Sequence, residues 1–312
     1  MFKLKEVDLS LLTEKEKGTY HFCMRMQSQT VELTKEFSDK VIKKLLGERK
    51  KKIENAIWGF VIGDCLGVPY EFKEKGMFKY KEMHGFGTHN QPPMTWSDDT
   101  SLMLALLDSF ENGKFNIEKH KENLKLFLSG KYTVDNMLFD IGIGTLKAIQ
   151  KEFDIDTSNS LGNGGLLRCW LVGILNREQL SEFLVLTHSA DELYLTCCNL
   201  YIALLDDILQ LGKDDGTKKW LFENNTTFET LINANEKLSK TEGCIVETIR
   251  IVISSYLKGK TVKAVIELGG DTDSNAALFC TLKGAEGDNS VLQYKIYIRQ
   301  LEQVDHILES FN

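Results

Sequence analysis

Apolar residues recur every three or four positions in DNMLFDIGIGTLKAI (135–149), DELYLTCCNLYIALLDDIL (191–209) and CIVETIRIVISSYL (244–257), which is the period of an amphipathic helix. SLMLALLDSF (101–110) is apolar on nearly every side and predicts a helix sunk in the core. WGFVIGDCLGVPYEF (58–72) predicts a helix that stops around Gly67 and Pro69, leaving Glu71 on the loop beyond it. The alternation of half-exposed strands is scarce. The three prolines lie at 69, 92 and 93, so residues 95–312 contain no residue that would break a helix by removing its N–H donor. KDDGTKK (213–219) and NNTTFET (224–230) are expected to be surface turns. The pattern predicts an all-α protein with one large helical domain over 51–312, preceded by an N-terminal helical extension over 1–50.

Composition narrows the classes. A chain of 312 residues with 42% hydrophobic content can bury a sizeable core, and no apolar run is long enough to span a bilayer. The opening MFKLKEVDLSLLTEKEKG carries charges where a secretory signal needs an apolar stretch. Seven cysteines are scattered without metal-type spacing, as expected of free thiols in a reducing cytoplasm. The net charge of −7 is uneven: residues 1–52 hold 13 Lys/Arg against 8 Asp/Glu, leaving the remainder at −12. Nucleic-acid binding depends on neutralising phosphates, so an acidic body argues against it. The leader alone is free to touch an acidic or macromolecular partner, although its mixed charges at helical spacing also suit a solvated face.

The acidic residues are placed unusually. LGGDTDSNAAL (268–278) sets Asp271 and Asp273 two apart behind two glycines, and TWSDDTSLMLALL (95–107) sets Asp98 and Asp99 in front of the most apolar helix. Two like charges about 4 Å apart repel by roughly 4 kcal/mol at an effective dielectric near 20. A helix N-terminus favours a carboxylate by only about 0.3–1 kcal/mol, with Ser97, Thr100, Thr272 and Ser274 available as caps. One such pair is ordinary capping. Two pairs at the rim of one core suit hard divalent cations, which bind through oxygen and, as a pair, form hydrolytic centres. Glu71 supplies a third wall. LGNGGLLRCWLVG (161–173) opens a helix with glycines around Asn163, where backbone N–H groups can approach a diphosphate.

Six blocks in order, GDCLGVPYE, PPMTWSDDTSLMLAL, FDIGIGTLKAI, GNGGLLR, LTHSADE and LGGDTDSNAAL, resemble the signature blocks of the ADP-ribosylglycohydrolase superfamily over about residues 53–287. The resemblance implies an all-helical orthogonal fold with two Mg²⁺ or Mn²⁺ ions that removes ADP-ribose from modified proteins, an arginine acceptor being favoured. It implies metal ligands at Ser97, Asp98, Asp99, Asp271, Asp273 and Ser274. It also implies a substrate cleft at Asn163, Gly164, Gly165 and His188, with Glu71 reaching a metal or gating catalysis. Trp96 is a candidate for the ribose or adenosine wall, and Asp98, Asp99 and Glu71 are the candidate proton acceptors. Departures from the family pattern are Ser274 for threonine, Met94 for a glycine before the acidic pair, and Lys283 in a helix that is usually small or apolar. An Asp-x-Asp element also marks haloacid-dehalogenase-type phosphatases, but there alternating strands and helices follow it, and here the chain is nearly over. The remaining alternative is a non-catalytic binder of ADP-ribose or of an ADP-ribosyltransferase, acting through the extension.

Overall fold

The computed structural model describes residues 35–111 and 113–311, with side chains from residue 46 onward. Its helices are α1 (Lys35–Gly67), α2 (Asp98–Leu107), α3 (Ile117–Phe127), α4 (Ile143–Gln150), α5 (Gly164–Leu175), α6 (Leu180–Val185), α7 (Glu192–Leu211), α8 (Lys213–Ala234), α9 (Ile245–Leu257), α10 (Val262–Ile266), α11 (Thr272–Ala285), α12 (Asn289–Leu292) and α13 (Leu301–Phe311). One two-residue hairpin ladder pairs Phe110 with Phe115 and Glu111 with Lys114. The protein is all-α, and no helix among the described residues is long and apolar enough to cross a membrane. The boundary expected at residue 50 falls inside α1, and residues 1–34 of the expected extension lie outside the described residues.

The packing of α1 against α11 sets the geometry of everything near the acids. Gly59, Gly63 and Gly67 recur every four residues and so form one stripe. A Cβ on Gly59 would overlap the Cys280 carbonyl, one on Gly63 the Ala276 carbonyl, and one on Gly67 the Asp273 backbone. From the other side, a Cβ on Gly284 would overlap the Asn55 carbonyl. The pairing runs antiparallel, so the end of α1 meets the start of α11. The chain past α1 continues the contact: Phe72 N donates to Gly270 O and Gly270 N donates to Lys73 O, both at 2.9 Å. Gly269 and Gly270 hold φ of +75° and +74°, a region that costs a residue with a Cβ about 1 kcal/mol or more. Two helices and a short bridge thus carry Glu71 to the aspartates of LGGDTDS.

Helix α2 is buried from Asp99 to Leu107, as its all-round apolarity predicts. Two sequence expectations fail. The expected turns at 213–219 and 224–230 lie inside α8, because Gly216, Trp220, Phe228 and Leu231 form a sparse buried stripe beneath an otherwise polar surface. The periodic stretch 135–149 is α-helical only from Ile143; before it the chain makes a short 3-10 turn over Val134–Asn136 in which Asp135 and Asn136 both take φ +55°, and Met137 and Leu138 stay exposed. Met94, where the family pattern has glycine, sits at φ +58° with 1% exposure. Its carbonyl accepts from Arg299 N at 3.1 Å, so packing holds a strained backbone that glycine would adopt freely. Lys283 is compatible with its helix because it pairs with Glu286 and, at 2.6 Å, with Asp288.

Candidate active site

A cavity of about 520 Å³ is lined by six parts of the chain: Glu71 and Phe72, Asp98 and Asp99, the Asp140–Thr145 stretch, the Asn163–Gly164 loop with Arg168, His188, and Asp271, Asp273 and Ser274. Each acid is held by a local device. Ser97 caps α2 by accepting from Asp99 N at 3.2 Å. Beneath it, Asp64 accepts from Ser97 N at 3.1 Å and from Thr100 N at 3.0 Å, so a buried carboxylate of α1 ties down the start of α2. Gly142 N donates to Asp98 at 3.1 Å, and Ser274 Oγ donates to Asp99 at 2.8 Å. Asn163 Nδ2 donates to Asp271 at 2.6 Å and to Thr248 Oγ1 at 3.0 Å.

Asp273 differs from the rest. Its side chain is 2% exposed and its Oδ1 is buried with no hydrogen-bond partner, an arrangement that costs roughly 1–3 kcal/mol or more for a charged oxygen left unsatisfied. Carboxylate oxygens of Glu71, Asp271 and Asp273 lie within 4.8 Å of one another. Burial pushes Glu71 up to about 7, with Asp140 and Asp271 adding repulsion and His89 opposing it. Burial and the Asp140 charge likewise raise Asp98 to about 7. Asp64 rises to about 6, its amide hydrogen bonds offsetting part of its desolvation. Asp99 and Asp273 are driven well above the carboxylate range by burial and by neighbouring acids. A bare, buried oxygen beside crowded carboxylates fits a hard divalent cation, which would satisfy the oxygen and remove the repulsion together.

Nine of the sequence candidates, Glu71, Asp98, Asp99, Asn163, Gly164, His188, Asp271, Asp273 and Ser274, line this cavity. Ser97 lies just behind it as the cap of α2. Trp96 is 1% exposed, donates its indole N–H to Tyr132 O at 3.0 Å, and packs in the core. Gly165 sits beneath the Tyr194 hydroxyl and the His188 ring. His188 accepts from or donates to Thr187 Oγ1 at 2.7 Å, and burial together with the Arg168 charge lowers it to about 3. It is therefore neutral at physiological pH and supports the glycine loop.

Four residues of the site were not singled out from sequence. Asp64 is hidden inside an apolar helix, and Asp140 inside a block read for its helical period. His89 sits in the loop before Pro92, where no periodicity guides a reading. Arg168 is 1% exposed with Nε and Nη1 unpartnered, close enough to Asp98 and Asp99 to feel their charge. A guanidinium following GNGGLL was legible only as a helix residue.

The glycine loop yields a test. A Cβ on Gly164 would lie 3.0 Å from two atoms of the His188 ring, so Gly164→Val displaces the loop as well as filling its concave side. If this loop lines an ADP-ribose cleft, as the sequence resemblance implies, affinity for free ADP-ribose should fall by about tenfold or more, a loss on the order of 1.4 kcal/mol. Calorimetry with free ADP-ribose checks this, and wild-type affinity would remove the loop from the cleft.

Buried carboxylates from two helix N-termini, facing a glycine-rich loop across one all-α cavity, define a class of hydrolytic site. The signature of the ADP-ribosylglycohydrolase family matches residues 46–310, and the chain belongs to that family. It is similar to the ADP-ribosylarginine hydrolase Tri1 of Pseudomonas putida (strain GB-1), with 28% identity over 263 residues that span 75% of this chain and 70% of the relative. The ADP-ribosylarginine hydrolase Tri1 of Serratia proteamaculans (strain 568) is 25% identical over 268 residues, 76% of this chain and 72% of the relative. A solved structure described as an ADP-ribosylglycohydrolase-related protein complex superposes with a TM-score of 0.67 at 21% identity, covering 85% of this chain and 98% of the other. That likeness concerns the fold.

Proposed function

We propose that this protein hydrolyses the glycosidic bond between ADP-ribose and arginine on modified proteins, with two Mg²⁺ or Mn²⁺ ions bound among its acids. The observation that carries the reading is the buried group of Glu71, Asp271 and Asp273 facing Asp98 and Asp99 in one cavity. Family membership and the two relatives named ADP-ribosylarginine hydrolase support the substrate class. In this reading residues 51–312 are the catalytic domain and 1–50 an extension able to meet a protein partner.

Asp98, Asp99 and Ser274 on one side, and Glu71, Asp271 and Asp273 on the other, would hold the ions. Divalent cations held there would supply Lewis acidity, orienting ribose hydroxyls and lowering the pKa of an attacking water. The Asn163–Gly165 loop receives the diphosphate. The carboxylates stabilise positive charge on the ribose as its C–N bond breaks. Water adds its oxygen to the anomeric carbon and gives up a proton, while the guanidine leaves with the bonding electron pair and takes a proton. Glu71 and Asp98, on opposite sides of the acidic group in the same cavity, are the candidates to accept the water's proton. Phe72 and Ile143, which are exposed and line the cavity, form the rim that the modified protein meets.

The test is release of free ADP-ribose from an arginine-modified protein and from a serine-modified peptide, each with Mn²⁺, with Mg²⁺ and with chelator. Release from the arginine conjugate alone, abolished by chelator, is the expected result. Release from the serine conjugate alone would overturn the acceptor, and release in chelator would overturn the metals.

A further inference from the structure

Glu71 is where it should not stay. Its carboxylate is drawn to within 4.8 Å of Asp271 and Asp273, and a glutamate has enough torsional freedom to swing away from two like charges. What opposes this is outside the cavity. His89 Nε2 makes a short hydrogen bond to Glu71 Oε2 and lies 4.0 Å from Asp140 Oδ2. Its ring is flanked by Phe139 at 5.3 Å and Phe72 at 6.0 Å between centroids, so it is walled in on two sides.

The backbone around His89 is stapled to the backbone around Glu71. Thr88 N donates to Pro69 O at 3.2 Å and Thr88 Oγ1 donates to Glu71 O at 2.6 Å. Gly87 approaches Pro69 so closely that a Cβ would overlap the Pro69 carbonyl. Asn90 N closes the turn onto Gly87 O at 3.0 Å, and Gln91 Nε2 donates to His89 O at 3.2 Å. These bonds fix the backbone of His89 relative to Glu71 independently of the contact between their own side chains. The histidine is therefore a built partner of the glutamate.

We propose that His89 is a positioning residue for Glu71, binding one carboxylate oxygen from outside the cavity so that the other stays turned toward Asp271 and Asp273 and ready for a divalent cation. His89 is not among the residues that line the cavity, and it acts through the glutamate. A donor that orients a ligating carboxylate typically changes metal affinity by about 10–100-fold. The proposal rests on the reading that this acidic group takes a cation.

The experiment is a calorimetric titration of the full-length protein with Mn²⁺, run for wild type, His89→Leu and His89→Gln, with thermal melting in chelator alongside. His89→Leu should weaken Mn²⁺ by about tenfold or more, with kcat reduced and the affinity for free ADP-ribose unchanged. His89→Gln keeps an N–H donor on a side chain of similar reach and should restore most of the Mn²⁺ affinity. A merely structural histidine would instead lower the melting temperature in chelator for both variants and leave Mn²⁺ affinity where it was. Equal Mn²⁺ affinity in wild type and His89→Leu, or no recovery in His89→Gln, overturns the proposal. Should His89→Leu fail to fold, His89→Met, which fills similar space without an N–H donor, takes its place and should show the same loss of about tenfold or more; Mn²⁺ affinity equal to wild type in that variant overturns the proposal. If wild type itself takes up no Mn²⁺, the metal reading fails first, and that outcome is distinct from the others.

Discussion

Asp273→Asn is expected to lower kcat/KM on the order of 10³-fold while making the protein more stable in chelator. The first effect follows from losing a carboxylate in the group that would hold a cation, since metal-based stabilisation of a transition state supplies several kcal/mol. The second follows from burial. Asp273 is 2% exposed, its Oδ1 has no partner, and Glu71, Asp271, Asp99 and Asp64 all repel its charge. An amide of the same shape removes that charge. The pH dependence has a definite sign. A carboxyl whose folded pKa is raised binds its proton more tightly in the folded state, so its contribution is complete below the unfolded value of about 3.9–4.3 and is lost as pH rises through the folded value. With Asp64 at about 6 and Glu71 and Asp98 at about 7, the chelated wild type should melt at progressively lower temperature between about pH 4 and pH 8. Asp273→Asn should melt higher than wild type at the upper end of that range. Differential scanning fluorimetry across the series measures both. A variant that melts lower at pH 8 would refute the crowding argument, and a variant retaining a tenth of wild-type turnover would refute the role of Asp273.

Gly63→Ala is expected to be among the most damaging single-methyl changes in the chain. The added carbon overlaps the Ala276 carbonyl, with Ala277 Cα also in the way. Both are helix backbone, so no side chain can rotate aside. Overpacking a core usually costs about 1–3 kcal/mol and more when backbone must shift, and here α1 and α11 would have to separate. A loss of about 3 kcal/mol or more, or failure to accumulate as folded protein, is the expected outcome by urea unfolding and circular dichroism. An exposed control, Gly47→Ala, has no atom within 4 Å of its new Cβ and should gain slightly in helix propensity. If the two variants unfold at the same urea concentration, the seam is looser than its geometry states.

The sequence made some of this legible and hid the rest for identifiable reasons. Helix α2 was readable because its body from Leu102 to Leu107 is apolar on nearly every side, and the acid pairs because charge before such a helix stands out. Glu71 could be placed past the end of α1 from Gly67 and Pro69. The turns expected in 213–230 were wrong because a surface helix with one buried residue every turn or two shows more polar residues than period. The stretch 135–142 was read as helix because its apolar residues recur at the right spacing, yet Met137 and Leu138 point to solvent and the backbone is turned by two residues at positive φ. His89 and Arg168 carry no local signature. Each matters through a partner more than a dozen residues away, a separation only the folded chain resolves.

The glycine seam also determines how this protein can breathe. The acids of α1 and α11 and the core share a single helix pair, so exposing the floor of the cavity means separating the elements that hold the molecule together. Amides of residues 57–67 and 272–285 should therefore exchange with deuterium only through global opening, as one cooperative unit. Residues 137–142 lie outside both helices of the seam, with Met137 and Leu138 exposed, and should exchange through smaller openings. If the acidic group takes a divalent cation as proposed, adding it should slow both sets while leaving their order intact.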